Sequence, residues 1–268
     1  MQAGHGRNEL PLGRAIRWDK ASNQPNADER ELVPTVTMKI ELFADAQTVA
    51  EEAARLIAAE ARSTTAERGH FVLAVSGGHT PWIMLRALAR EDVAWDKMYL
   101  AQVDERVAPA GDPDRNLTHL RKSLLEHAPL PPKQLYAMPV ETPDIEAGPK
   151  EYVKVLEKIA GTPPVFDLVH LGLGPDGHCA SLVPGDSVLQ VSDADVAVTG
   201  LYQGRRRMTL TYPVLNRARR VLWLVTGDEK VPMLKRLTKG DPSIPAGRVN
   251  QERALVFADR AAGGATES

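Results

Sequence analysis

The chain has 268 residues, of which 43% are hydrophobic and 25% charged, with a formal net charge of −2. That is the composition of a globular protein with a sizeable core, and the charge balance gives no electrostatic ground for a nucleic-acid or membrane partner. A lone cysteine, Cys179, excludes an internal disulfide framework and suits a reducing cytosol. No apolar run reaches membrane-span length, and the N-terminus lacks the apolar core of a secretory signal, so a cytoplasmic protein is expected.

Residues 1–37 show neither helical nor strand periodicity and are read as a flexible extension; 38–260 form the domain and 261–268 a flexible tail. Met38, Ile40 and Leu42 alternate with charged residues, which predicts a half-buried strand. Asp45 is placed to cap a helix carrying Val49, Ala53, Leu56 and Ile57. Phe71–Val75 then reads as a strand, Ser76-Gly77-Gly78-His79 as a loop, and Thr80-Pro81 as the opening of a helix. Met98–Val103 reads as a strand running out into Asp104-Glu105-Arg106, and Asn116 as the cap of a helix bearing Leu117, Leu120 and Leu124. A short strand at Leu135–Met138 and a helix within 144–160 precede the apolar run Phe166–Leu171. Beyond it lie strands near Val196–Thr199 and Met208–Thr211, a helix at Tyr212–Ala218, a strand at Val221–Thr226, a helix with Val231, Leu234 and Leu237, and a last strand at Leu255–Ala258. Strands alternating with helices predict an α/β fold, a mostly parallel sheet with helices on both faces in a single domain.

The chemistry concentrates after Leu171, in Gly172-Leu173-Gly174-Pro175-Asp176-Gly177-His178-Cys179. A buried strand that empties into a glycine-rich loop delivers side chains to the carboxyl edge of a sheet, where open α/β folds bind ligands. The run contains a literal G-x-G-x-x-G, and Asp193 and Asp195 lie downstream, but a dinucleotide fingerprint needs a long helix directly after the glycines. Pro184-Gly185 stops any helix here, and Asp176 would set a negative charge beside the pyrophosphate. His178 is the candidate acid–base group, since an imidazole can take a proton near neutral pH. Asp176 either orients that ring or accepts backbone hydrogen bonds within its own turn. Ser76-Gly77-Gly78-His79-Thr80 reads as an anion-binding loop at a helix N-terminus or as a plain tight turn. Asp104 and Arg106 share the same edge as site groups or as a surface ion pair. Lys230, just after Gly227 at a helix start, stands where the macrodipole disfavours a cation, which an anionic ligand would explain. Arg205, Arg206, Arg207, Arg217, Arg219 and Arg220 read mainly as a solvated face. There is no G-x-S-x-G elbow, no G-K-[ST] ending, and no H-x-x-x-H or multi-cysteine zinc spacing. Cys179 reads as a small buried residue and not a nucleophile.

Taken together and in order, Ser76-Gly77-Gly78-His79-Thr80-Pro81, Asp104-Glu105-Arg106, Asp114-Arg115-Asn116, the Gly172–Leu182 run, Arg207-Met208-Thr209-Leu210-Thr211 and Gly227-Asp228-Glu229-Lys230 resemble the 6-phosphogluconolactonase family, within the larger group that includes glucosamine-6-phosphate isomerase/deaminase. The resemblance spans Ile40 to Asp259 and implies a modified Rossmann-like (NagB/RpiA-like) fold that hydrolyses a sugar-acid lactone phosphate without metal or organic cofactor. It implies His178, Asp104 and Arg106 as catalytic residues and Ser76, Gly77, Gly78, Thr80, Asp176, Arg207 and Lys230 as substrate-binding residues. Arg106 would serve the oxyanion or the phosphate, and Asp104 would hold sugar hydroxyls or position His178. The partner is a small sugar-phosphate lactone, and the state a monomer or homodimer. Deaminases follow the D-G-H with an A-F-N-E-P type sequence, whose glutamate is missing from Ala180-Ser181-Leu182-Val183-Pro184. The rival readings are therefore an amino-sugar phosphate isomerase/deaminase and a non-catalytic sugar-phosphate sensor. Val183 and Arg115 depart from the family's usual Phe and small residue.

Overall fold

The computed structural model describes residues 38–264. The strands of the main sheet are β1 (Lys39–Phe43), β2 (Phe71–Val75), β3 (Met98–Gln102), β5 (Leu135–Tyr136), β6 (Leu168–Gly172), β9 (Val221–Val225) and β10 (Ala254–Asp259). A second, antiparallel sheet holds β4 (Asp104–Arg106), β7 (Val196–Val198) and β8 (Arg207–Leu210). The helices are α1 (Ala46–Arg68), α2 (His79–Leu88), α3 (Asn116–Leu120), α4 (Gly148–Ala160), α5 (Tyr212–Arg217) and α6 (Val231–Leu237).

The main sheet is parallel throughout, in the order β1-β10-β9-β6-β2-β3-β5. Because both of its faces are covered, the central strands are continuous apolar runs, as in Phe71-Val72-Leu73-Ala74-Val75. Alternate residues feed two cores. Phe71, Leu73 and Val75 pack with Val49, Ala53 and Ile57 of α1 and Met84 and Leu85 of α2. Val72 and Ala74 join Tyr152 and Leu156 of α4, Leu215 of α5 and Leu234 of α6. From β2 the chain winds outward through β3 to β5, then crosses back to place β6 on the other side of β2. The carboxyl ends of β2 and β6 therefore flank the point where strand order reverses, the place where such sheets open a crevice. No helix among the described residues is long and apolar enough to cross a membrane.

The mostly parallel sheet matches expectation, with four local corrections. Asp104–Arg106 does not continue β3 but turns into the second sheet, where β4 pairs antiparallel with β8. The strands near 196 and 208 belong to that sheet too, not to the parallel one. β1 is an edge strand whose Ile40 and Leu42 are exposed, while Met38 just before it is buried. Asn116 does not cap α3. The carboxylate of Glu105, wholly buried, does so by accepting from the N–H groups of Asn116 and Leu117, each at 2.8 Å. The Asp45 cap forms as read, its side chain accepting from the Thr48 N–H at 2.7 Å. The readings of residues 1–37 and of the tail beyond 264 lie outside the described residues. Within the turn that follows β10, Ala262 is buried and gives its N–H to Asp259.

Candidate active site

The carboxyl ends of β2, β6 and β9 and the near edge of β4–β8 enclose a cavity of about 370 Å³. The structure places Ser76, Gly77, Gly78, Thr80, Asp104, Arg106, His178, Arg207 and Lys230 on its walls. Asp176 stands behind His178 and not on the wall. A larger groove of about 570 Å³ runs along the solvent side of α1 and α2 past Glu51, Arg55, Arg86 and Arg90. That groove is away from the sheet's reversal point, where the polar residues converge.

His178 is set by a tight loop. The Gly174 N–H donates to the His178 carbonyl at 2.8 Å and the Gly177 N–H to the Gly174 carbonyl at 3.0 Å. A side chain at Gly174 would fall inside the imidazole, so glycine is what lets the ring fold back against its own loop. Asp176 Oδ1 accepts from the His178 N–H at 3.1 Å and lies 2.5 Å from its Nδ1. Asp176 thus does both things the sequence left open. Burial pushes its carboxyl up, but the His178 N–H and imidazole outweigh this and hold it below the ordinary aspartate value. An ionised partner at Nδ1 leaves Nε2 as the ring nitrogen free to take a proton. No helix directly follows Gly177, as the rejection of a dinucleotide loop expects.

Asp104 is occupied elsewhere. It is buried, accepts from Ser181 Oγ at 2.6 Å and from Asn116 Nδ2 at 3.2 Å, and its carbonyl accepts from the same amide at 2.9 Å. Asn116 Oδ1 in turn accepts from Arg106 Nη1, which also reaches the Asp114 carbonyl at 3.1 Å. One carboxamide therefore ties the Asp104 carboxylate to the Arg106 guanidinium. A side chain at Gly77 would collide with that carboxamide, so the β2 loop can close on Asn116 only with glycine there.

The second sheet sets Arg106 directly opposite Arg207. Like charges facing across a strand pair repel, and burial, then Arg106, lowers the Arg207 pKa. Arg207 Nη2 donates to Gln203 Oε1 at 3.1 Å, its guanidinium lies 4.8 Å from the Tyr202 ring centre, and its Nε has no partner. The rest of the arginine cluster is paired: Arg205 with Asp112 and Asp114, Arg206 with Glu146, Arg217 with Asp195, Arg219 with Asp167 and Arg220 with Glu60. Lys230 reaches the cavity from the turn before α6, its Nζ 3.5 Å from Glu229. That turn is anchored by the Gly227 N–H, which donates to Asp259 at 3.1 Å.

Ser76 is less free than its loop suggested. Its N–H donates to His170 Nδ1 at 3.3 Å and its hydroxyl to the His170 carbonyl at 3.1 Å, both within the buried interior. Burial drives the His170 pKa down to about 3, so that ring is neutral and able to accept. Cys179 is fully buried; burial and then the charge of Asp104 push its thiol up, which removes it as a nucleophile. Asn116 and Thr226 line the cavity but were not among the site residues read from the sequence. Thr226 holds Thr80 through their hydroxyls at 2.7 Å, and its place at the end of β9 was the available signal. Asn116 belongs to the Asp114-Arg115-Asn116 motif of the resemblance, but locally an Asn before an apolar helix reads as a cap.

The family described as glucosamine-6-phosphate isomerases/6-phosphogluconolactonase matches residues 44–257. A 6-phosphogluconolactonase of Synechocystis sp. is 34% identical over 226 residues, covering 82% of this chain and 94% of that relative. The solved 6-phosphogluconolactonase of Thermotoga maritima superposes with a TM-score of 0.73 at 26% identity, over 82% of this chain and 98% of its own. A monomeric glucosamine-6-phosphate deaminase superposes as closely, with a TM-score of 0.75 at 20% identity over 85% of this chain and all of its own, so the fold is shared by proteins named for different reactions. The matched span holds the whole cavity wall, and with it the chain belongs to the glucosamine-6-phosphate isomerase/6-phosphogluconolactonase family.

Proposed function

We propose that this chain hydrolyses 6-phospho-D-glucono-1,5-lactone to 6-phospho-D-gluconate, the lactonase step of the oxidative pentose phosphate pathway. The observation that carries the reading is charge placement. The cavity wall carries Arg106 and Arg207 in register, together with Lys230, and an imidazole backed by a carboxylate. Two arginines held face to face repel until an anion lies between or before them. A phosphate on Arg207 and a developing oxyanion on Arg106 relieve that repulsion together.

Neutral His178 takes a proton from water at Nε2 while the water oxygen bonds to the lactone carbonyl carbon. Asp176 stabilises the imidazolium that forms. Collapse of the tetrahedral intermediate breaks the bond from that carbon to the ring oxygen, and the imidazolium returns its proton to that oxygen as it leaves. A cation near the carbonyl steadies the oxyanion. Arg106, held by Asn116 and not spent on a carboxylate, is the group for it, and Arg207 and Lys230 take the phosphate. Asp104 accepts sugar hydroxyls with whatever capacity Ser181 and Asn116 leave it.

A deaminase would need its carboxylic acid after the D-G-H. Ser181 stands in that stretch, buried against Asp104, and Glu229 of the cavity wall is exposed and paired with Lys230. The enzyme works as a monomer or homodimer in the cytoplasm, in keeping with its single buried thiol. The test is acid release from freshly made lactone 6-phosphate above the spontaneous background, with ammonia release from amino-sugar phosphate measured alongside. Lactone turnover without ammonia supports the proposal. The reverse pattern, or neither activity, overturns it.

A further inference from the structure

The hairpin between β7 and β8 carries a residue that no motif of the chain singles out. Tyr202 and Arg205 close it with reciprocal backbone hydrogen bonds of 2.9 and 3.2 Å, around Gln203 at φ 52° and Gly204 at φ 78°. Two consecutive positive φ values make this the tight turn that matches the twist of paired strands. Gln203 occupies a backbone region that non-glycine residues rarely hold, and strain of this kind persists where the surroundings enforce it. Here its side chain accepts from Arg207, while Arg205 clamps the tip to Asp112 and Asp114 in the loop after β4.

The clamp holds Tyr202 against two residues of the cavity wall, His178 and Arg207. Its hydroxyl donates to Asp176 Oδ2 at 3.3 Å, the oxygen that His178 does not use. Its ring meets the His178 ring edge-on, with centroids 5.6 Å apart at 67°, and the Arg207 guanidinium lies over its face at 4.8 Å. Burial, then the charge of Asp176, raises the phenol pKa, which keeps the hydroxyl a donor. One side chain thus touches the general-base couple and the anion-binding arginine together. Its neighbour Leu201 is 77% exposed and touches neither.

We propose that Tyr202 is a positioning residue of the reaction, holding Asp176 and His178 in line through its hydroxyl and setting Arg207 for the anionic end of the substrate through its ring face. The proposal rests on the lactonase reading for its kinetics but not for its geometry.

The two contacts separate by substitution. Tyr202→Phe keeps the ring and removes the hydroxyl; it should lower kcat by about five- to ten-fold, the size of one hydrogen bond, with KM within two-fold. Tyr202→Ala removes both and should also raise KM, by about ten-fold, as Arg207 loses its platform. Leu201→Ala should match wild type, showing that the hairpin tolerates change. Equal kcat and KM losses in the Phe and Ala variants would mean a merely structural role and would overturn the proposal, as would wild-type kinetics in both. A readout independent of substrate uses the ring nitrogens of His178, followed by NMR in the free protein. Their resonances should move in Tyr202→Phe, because Asp176 loses its second partner. Unmoved resonances in both variants sink the proposal even if the lactone is hydrolysed, and displaced ones sustain it even if another substrate proves correct.

Discussion

His178 is shaped by its immediate neighbours more than by its own chemistry. A carboxylate held at 2.5 Å by the backbone of the same turn fixes which ring nitrogen faces the cavity. Replacing His178 by Asn preserves the hydrogen bond to Asp176 and removes the base, so kcat should fall by about 10²–10⁴-fold while the fold persists by circular dichroism. A rate close to wild type would show that water is activated elsewhere. Lys230 makes the opposite kind of contribution. Its amine reaches the cavity wall from a turn remote in sequence from the imidazole loop. A phosphate contact of this sort is made equally in ground and transition states, so Lys230→Met should raise KM by about ten-fold with kcat nearly constant. A loss confined to kcat would place Lys230 at the reacting carbon instead.

At the scale of elements, the second sheet and the start of α3 are one device. Glu105 accepts from the N–H groups of Arg106, Asn116 and Leu117 and from the Gln102 amide, and so turns β4 out of the main sheet while capping α3. Arg115 Nε lies 3.2 Å from Glu105 Oε2, off the line a hydrogen bond requires; it is an ion pair by distance only. The firmer bonds of Arg115 run to the Ala108 carbonyl at 2.9 Å and Glu141 at 2.7 Å, closing the loop between β4 and α3. The residue that departs from the family's small side chain at this place therefore has a structural explanation. Glu105→Gln leaves Arg115 with Glu141 as its one carboxylate and a helix end short of an acceptor, which should cost about 1–3 kcal/mol in a urea titration. A variant as stable as the parent would mean that Glu141 alone suffices for Arg115.

At the scale of the molecule, the interior where β6 meets the loop after β2 holds His170, and this sets a pH dependence. His170 is wholly buried, with Nδ1 accepting from Ser76 and Nε2 without a partner. Its folded pKa, driven down to about 3, lies below the ordinary histidine value. Between those two values the unfolded chain binds a proton that the folded chain refuses, so stability falls as pH falls through that window. From about pH 6.5 to pH 5, above the carboxylate range, the loss should reach up to about 2 kcal/mol. Urea midpoints at the two pH values check this. His170→Gln, whose amide oxygen can still accept from Ser76, should flatten the slope, and an unchanged slope would place the titration elsewhere.

The parallel α/β architecture and the central loop were legible because both are written in local pattern. Apolar runs such as Phe71–Val75 are period-free when buried on both faces, and Gly172, Gly174 and Gly177 punctuate the chain wherever it folds. His178, Arg106 and Lys230 could be singled out because each stands beside a strand end or a glycine turn, whereas Arg207, in a cluster read mainly as a solvated face, entered only through the family resemblance. Sequence could not show that Arg106 faces Arg207, that Asn116 bridges Asp104 and Arg106, or that Tyr202 leans on Asp176. Those pairings depend on β4 leaving the main sheet for β8, a contact across about a hundred residues of chain. Nothing in the local sequence distinguishes a strand that continues from one that crosses to a second sheet. The residue types were set by the chain alone, and their partners by the tertiary fold.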